Sequence, residues 1–410
     1  MEKPRSKART AALWALTIAI PVSTLLGLNW AINVYAKRNW IKGEPSQWTR
    51  YDSTLGWRHM TDMHFRIKHR ETDGAYIHYD FNNLGLRETE DTPPVSKHDH
   101  RVLVLGDSFT EGHVDTPDTI PNVAERILNG HHIDAEVLNA GVGVYSLYQE
   151  RLLFEELIDL SPELAVFIFF AGNDYLDAMP WDGGSPQLRF GPDGAVQVVP
   201  VPPRPEKTLD DFLAEHSWFL QHAVRRLSRM WRSHTIDEST LKLYERQLLR
   251  LDYGTVGSGM QQTAYFKQYP ERFEICSRLH AHVVQEIKQL AAEHDIELLF
   301  IILPNKYQVE RETLLEGFEL AERDIGLDPN DKFEDRVGDD FHRILDEAGI
   351  ACLDPYDQLL RDDRQLYWVS GQHMNKEGCE VIGELLAEDL ETMLAHNAET
   401  AEQPAATQVE

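Results

Sequence analysis

Val102-Leu103-Val104-Leu105-Gly106-Asp107-Ser108-Phe109-Thr110-Glu111-Gly112 decides the fold. Four consecutive apolar residues are what a strand buried on both faces requires. Gly106 permits a tight turn. The serine that follows lies just past the carboxyl end of the strand, where open α/β sheets place their sites. A helix beginning there points free N–H groups toward developing negative charge. This is not the G-x-S-x-G elbow, because position 110 is Thr. Taken alone, Gly-Asp-Ser is a common turn.

Outward from this stretch, strands and amphipathic helices alternate. Ile120, Val123, Ala124, Ile127 and Leu128 make one helical stripe. Val137-Leu138 is a second short strand. Leu147, Leu153, Leu157 and Leu160 mark the next helix. Ala165 to Phe170 is wholly apolar, and Leu298 to Leu303 and Ile350 to Leu353 follow much later. About five strands alternating with helices predict an α/β fold with a parallel sheet. The alternation breaks over about 176–270. There Gln187 to Phe190, the turn Gly191-Pro192-Asp193-Gly194, and Ala195 to Val199 read as a hairpin. A helix rich in Arg, Trp and Leu is expected from about Leu209 to Trp231. This lid-like insertion either covers a site at the carboxyl ends of the strands or is an ornament. Trp218, Phe219 and Trp231 fit a lid core as well as contacts to a sugar or acyl chain.

The chain has 410 residues, 42% of them hydrophobic, so it can build a proper core. It carries 68 acidic and 40 basic groups, a net charge of -28. Such an acidic surface repels phosphate backbones and argues against nucleic acid as a partner. Three cysteines make no disulfide framework. Cys276, Cys352 and Cys379 read as buried or free thiols, with one disulfide left open. No P-loop or dinucleotide fingerprint is present. His131-His132 and His98-Asp99-His100 lack zinc-type spacing and read as exposed loops, so no metal is assigned.

Lys3, Arg5, Lys7 and Arg9 precede a charge-free run from about Thr10 to Tyr35. Its roughly 25 residues can span a bilayer. Trp14 and Trp30 lie near its ends, as interfacial aromatics do. The run exceeds the apolar region of a signal peptide. Residues 1–36 are therefore expected to be an N-terminal transmembrane anchor. Val34-Tyr35-Ala36 leaves a cleavage site open, and Lys37, Arg38 and Lys42 nearly balance the flanking charge. Residues 37–100 read as a connecting segment packed on the main domain, which spans 101–395. Residues 396–410 read as a disordered tail.

Three further pieces give the serine its chemistry. Asn139-Ala140-Gly141-Val142-Gly143 follows the second strand and Gly172-Asn173-Asp174 the third. Gln372-His373-Met374-Asn375 precedes a final helix carrying Val381, Ile382, Leu385 and Leu386. All can converge on one sheet edge, supplying a hydroxyl nucleophile, a base and oxyanion donors, which are the parts acyl transfer needs.

With these four blocks in this order over residues 100–390, the chain resembles the SGNH superfamily of GDSL-type esterases and lipases. Leu55-Gly56-Trp57-Arg58 and Asn83-Leu84-Gly85-Leu86-Arg87 are similar to a membrane-anchored or secreted bacterial subgroup. The resemblance implies a three-layer αβα fold with flavodoxin-like strand order. It implies Ser108 as nucleophile and His373 as general base. The implied oxyanion hole takes the Ser108 N–H, a second-block glycine N–H and the Asn173 amide. It implies acyl-ester hydrolysis without a cofactor, on a small acyl ester or an acylated glycan, by a single-pass protein with a periplasmic or extracellular body. The chain departs from the pattern in places. Val144 stands where the second-block glycine belongs, with Gly143 one residue earlier. Ala171 replaces a third-block glycine. Ser370 replaces the Asp three residues before the His, leaving Ser370, Asp362 or Asp363 to orient the ring. An O-acyltransferase acting on an extracellular polysaccharide, and a non-catalytic binding protein on a degenerate scaffold, stay open as alternatives.

Overall fold

The structure, a computed structural model, describes residues 16, 17, 19–21, 23–31, 48–68, 72–178, 184–203, 270–310, 336–369 and 371–402. The chain divides into two units. One comprises Met1–Lys42 and Arg204–Leu249, and the other Gly43–Pro203 and Arg250–Glu410. In the first, the described residues between 16 and 31 are helical. The expected span from Thr10 to Tyr35 is thus described only in part. Among the described residues no helix is long and apolar enough to cross a membrane.

The second unit begins with two antiparallel hairpins, β1 (Thr49–Asp52) with β2 (Gly56–His59) and β3 (Met63–Lys68) with β4 (Tyr76–Phe81). Then come β5 (His100–Gly106), α1 (Ser108–Glu111), α2 (Ile120–Gly130), β6 (Ala135–Asn139), α3 (Leu147–Leu157), β7 (Leu164–Phe170) and α4 (Asp174–Asp177). The hairpin β8 (Gln187–Phe190) and β9 (Val196–Val199) follows, then α5 (Pro270–Glu293), β10 (Glu297–Leu303) and α6 (Lys306–Val309). The chain closes with α7 (Arg336–Ala348), β11 (Ala351–Leu353), α8 (Tyr356–Arg361) and α9 (Lys376–Glu402).

The five parallel strands lie in the order β11-β10-β7-β5-β6. Numbered along the chain this is 2-1-3-4-5, the flavodoxin-like order, whose switch point falls between β5 and β7. All seven residues of β7 are buried because both sheet faces are covered. On one face Leu103, Leu105, Phe167 and Phe300 pack with Phe154 of α3, Val284 of α5 and Phe341 of α7. On the other, Val102, Val104, Val166 and Ile301 pack with Ala124 of α2 and Ile382 and Leu386 of α9. Alternate residues of each strand thus serve opposite layers, giving the expected αβα architecture.

Residues 48–68 and 72–100 are woven into the second unit rather than merely laid on it. Leu55 and Leu86 are core residues of the sheet's own cluster. Gln149 fixes the N-terminus of α3 through a capping box with Ser146, and its amide donates to the Leu55 carbonyl at 2.8 Å. The described part of the insertion is the β8–β9 hairpin. Leu188 is buried in the core, and the Tyr51 hydroxyl donates to the Pro202 carbonyl at 3.0 Å. The helix expected at 209–231, with Trp218, Phe219 and Trp231, lies outside the described residues. One expectation is corrected: the tail does not start at 396, since α9 runs to Glu402. Ala- and Glu-rich residues extend a helix that α2 packing has already nucleated, and adding turns costs far less than starting one.

Candidate active site

Ser108 opens α1 directly after β5, and the close approach of two turns puts it there. A Cβ on Gly106 would meet Thr110 Oγ1 at 2.1 Å and the Ile168 carbonyl at 2.9 Å. One on Gly141 would meet the Glu111 backbone nitrogen at 2.3 Å. Only glycine lets the first and second blocks approach like this. Asn139 clamps them: its buried amide donates to the Thr110 carbonyl at 2.9 Å, and its oxygen accepts from the Gly141 N–H at 3.0 Å.

Ser108 Oγ lies 2.8 Å from His373 Nε2, although 265 residues separate the two. It also lies 3.3 Å from Asp107 Oδ2. The hydroxyl has one proton for these two acceptors, and the shorter contact is to the imidazole. The ring of His373 is stacked between Phe109, 4.7 Å between centroids, and His113, at 3.8 Å. Trp368 ties this arrangement together. Its backbone N–H donates to the His373 carbonyl at 3.0 Å and its indole to the His113 carbonyl at 3.1 Å.

Asp107 is buried and caps α1, accepting from the Phe109 N–H at 2.8 Å. Burial pushes its carboxyl above the ordinary range, against the pull of that N–H, of His373, of Ser108 and of Asn173. Burial likewise raises Glu150 and Asp174 well above the usual range, and Asp107 adds to both shifts. Ser108 therefore sits against Asp107, one of a set of buried carboxyls that share charge poorly.

Two of the three expected oxyanion donors, Gly143 and Asn173, are engaged. Gly143 N–H donates to Glu111 Oε2 at 2.6 Å. Burial acts against the charge of Glu111, but His59, Arg87 and this N–H hold its carboxyl below the ordinary range. The Asn173 amide nitrogen donates to Asp177 at 2.7 Å and Asp174 at 3.1 Å. Val144, where the resemblance led us to expect a glycine, has φ +67° and is 64% exposed. The turn thus demands the left-handed backbone that glycine would adopt freely, and a β-branched residue takes it under strain. Trp57 holds this turn from the N-terminal segment, its indole donating to the Gly143 carbonyl at 3.3 Å.

Of the residues that might orient the imidazole, Ser370 lies outside the described residues. Asp362 gives its carboxylate to Arg364, at 2.7 Å from the guanidinium, and Asp363 is exposed on the surface. The histidines of the loop runs pair with separate carboxylates: His98 with Asp134, His100 with Glu163 and His131 with Glu391. Among the described residues no group of three or more His, Cys, Asp or Glu could hold a metal ion. Cys276 and Cys379 are buried free thiols, each pushed up by burial to about 12, and Cys352 is free and half-buried.

Sequence reading missed Glu111, His59 and His113. Glu111 stood in the quoted stretch, where a charge inside an otherwise buried turn was the available signal. His59 has none, because only the folded hairpin brings it to Glu111.

No family model and no curated protein matches the chain. Solved structures to which it is similar include an acetylxylan esterase from Geobacillus stearothermophilus, in a catalytic mutant. The two are 10% identical over 72% of this chain and 94% of the other, with a TM-score of 0.37. A GDSL-like lipase from Bacteroides thetaiotaomicron is 12% identical over 74% of this chain and 93% of its own, with a TM-score of 0.33. A psychrotrophic esterase from a Pseudoalteromonas species is 8% identical over 72% and 100%, with a TM-score of 0.32. With scores below 0.5, the chemistry of this chain rests on its own residues.

Proposed function

We propose that the chain is a serine esterase that hydrolyses acyl esters. The observation that carries this reading is the 2.8 Å contact of Ser108 Oγ with His373 Nε2, within the 2.6–3.2 Å or so over which a base can take a proton. Nε2 takes the hydroxyl proton as Oγ attacks the ester carbonyl. The tetrahedral oxyanion then meets the Ser108 backbone N–H at the start of α1. Gly143 and Asn173 join it only by exchanging a carboxylate for the substrate oxygen, and Val144 offers the next N–H of the same turn. His373 hands its proton to the leaving alcohol, which frees an acyl-Ser108. Water deprotonated by the same ring then releases the acid and restores the hydroxyl.

Ser108→Ala should abolish turnover of a small aryl ester and labelling by a fluorophosphonate without unfolding the protein. His373→Ala should do nearly as much, because the pair acts as a unit. A wild-type protein that neither turns over the ester nor labels would instead be a binding protein on this scaffold.

The charge-free run from Thr10 to Tyr35 supports a second part of the reading: it tethers the body to a membrane, with the catalytic unit outside the cytoplasm. Protease added to cells with an opened outer layer should digest the body. Protection until lysis would reverse the orientation.

A further inference from the structure

The loop that presents His373 is built around a buried cation from another part of the chain. Lys306 follows the fourth parallel strand of the sheet, just beyond Pro304-Asn305, and is 3% exposed. Its Nζ donates to the carbonyls of Trp368 at 2.7 Å, Val369 at 3.0 Å and Gly371 at 3.3 Å. An ammonium has three N–H groups, and here three carbonyls of one loop meet it. Among the described residues the nearest carboxylate oxygen, Glu310 Oε2, is farther away at 3.7 Å. The ammonium is therefore bound mainly by backbone dipoles, much as a small metal cation would be. Charge-assisted bonds of this kind are the strong ones, and burial strengthens them further.

The three carbonyls stand close before His373 in the chain. Trp368, whose carbonyl makes the shortest contact, also donates its backbone N–H to the His373 carbonyl and its indole to the His113 carbonyl. From outside, Asp73 Oδ2 accepts from the Val369 N–H at 3.1 Å. The Tyr367 hydroxyl donates to the Pro304 carbonyl at 2.9 Å, which fixes the same two segments to each other a second time. Ring position at Ser108 is thus set by a chain of contacts running from Lys306 through Trp368 to His373. This chain lacks the Asp that the family places three residues before the base.

We propose that Lys306 is a positioning residue for the general base: its ammonium holds the carbonyls of Trp368, Val369 and Gly371 so that His373 Nε2 stays within reach of Ser108 Oγ. The proposal rests on the esterase reading for its kinetic part only. Displacing a catalytic group by about 1 Å costs roughly 100-fold in rate. Lys306→Met fills the same space but leaves three carbonyls without a donor. Lys306→Gln keeps an amide that can serve some of them.

The test compares the full-length wild type with both variants on a small aryl ester and by fluorophosphonate labelling of Ser108. Lys306→Met should lower kcat by roughly 100-fold with KM changed by less than about twofold, since only the base has moved. Lys306→Gln should fall between it and wild type, and labelling rates should follow kcat. Lys306→Ala should regain rate on addition of ethylammonium, which can occupy the vacated ammonium site. A merely structural lysine would show neither the kcat-only loss nor the rescue. A kcat for Lys306→Met within about threefold of wild type overturns the proposal, as does a rise in KM in its place. If the Met variant does not fold, the same criterion applies to Lys306→Gln. A wild type inactive in both assays defeats the esterase reading instead. The positioning claim is then decided by amide hydrogen exchange over residues 366–375: faster exchange in the variant supports it, and unchanged exchange refutes it.

Discussion

Val144 shows how one residue can keep a turn and change its cost. Its φ of +67° is the conformation the second-block turn requires, and its side chain is largely exposed. An L-residue in this region costs about 1–2 kcal/mol, part of which glycine gives back through its greater freedom in the unfolded chain. Val144→Gly should therefore stabilise the protein by about 0.5–1 kcal/mol in urea unfolding. An unchanged or lower midpoint would mean that the isopropyl group makes a compensating contact. The sequence showed only that Val144 stands where the resemblance expects a glycine, and the positive φ itself appears only in the folded turn. That Gly143 N–H is held by Glu111 could not be read at all, since a hydrogen bond between positions 32 apart depends on two turns meeting. The places of Ser108 at a strand end and of His373 before a helix were legible from local pattern, whereas their roles came only from the resemblance of four blocks taken together.

At the scale of elements, the strands of the sheet were the most legible part. Val102 to Leu105, Ala165 to Phe170 and Leu298 to Leu303 are unbroken apolar runs, and each proves to be a buried parallel strand. The two N-terminal hairpins were not legible, because β1 and β3 are partly exposed and their alternation is diluted by charge. Beside the contacts of Trp57 and His59, Arg87 ties these hairpins to the site; it is fully buried, with its guanidinium 3.6 Å from the centroid of the Tyr79 ring. It donates to the Thr116 hydroxyl at 3.1 Å and to the carbonyls of Val114 at 2.7 Å and His78 at 3.2 Å. It therefore bridges β4 to the loop that follows α1. Arg87→Met should cost about 3 kcal/mol or more, because it strands buried acceptors and removes a cation that favours the Glu111 anion. Thermal unfolding would measure the loss, and a drop under about 1 kcal/mol would mean that the bridge is redundant.

Across the whole molecule, buried carboxyls set the pH response. Burial raises Glu88, Glu150 and Asp174 well above their ordinary range, and raises Asp107 and Glu125 as well. In the window from the ordinary carboxylate range upward, the native state holds protons that the unfolded chain has lost, so stability falls as pH rises. Asp52, Glu111, Asp340 and Asp354 are lowered, so below the ordinary range stability falls with falling pH instead. Calorimetry should give a higher Tm near about pH 5 than near about pH 8, and Glu150→Gln should flatten that slope. Burial lowers His280 to about 4 and works the other way, so a Tm that rises from pH 5 to 8 would mean that this histidine outweighs the acids.

The 265 residues between Ser108 and His373 also carry a consequence in time. A ribosome adding about 5–20 residues per second makes the base roughly 13–53 s after the nucleophile. During that interval the nascent chain bears a hydroxyl that nothing activates. The parallel sheet cannot be complete before β11 is made, and α9 follows His373 in the chain. On the esterase reading, hydrolytic competence therefore arrives only after His373 has been made, and a chain cut short before it would be inert rather than partly active.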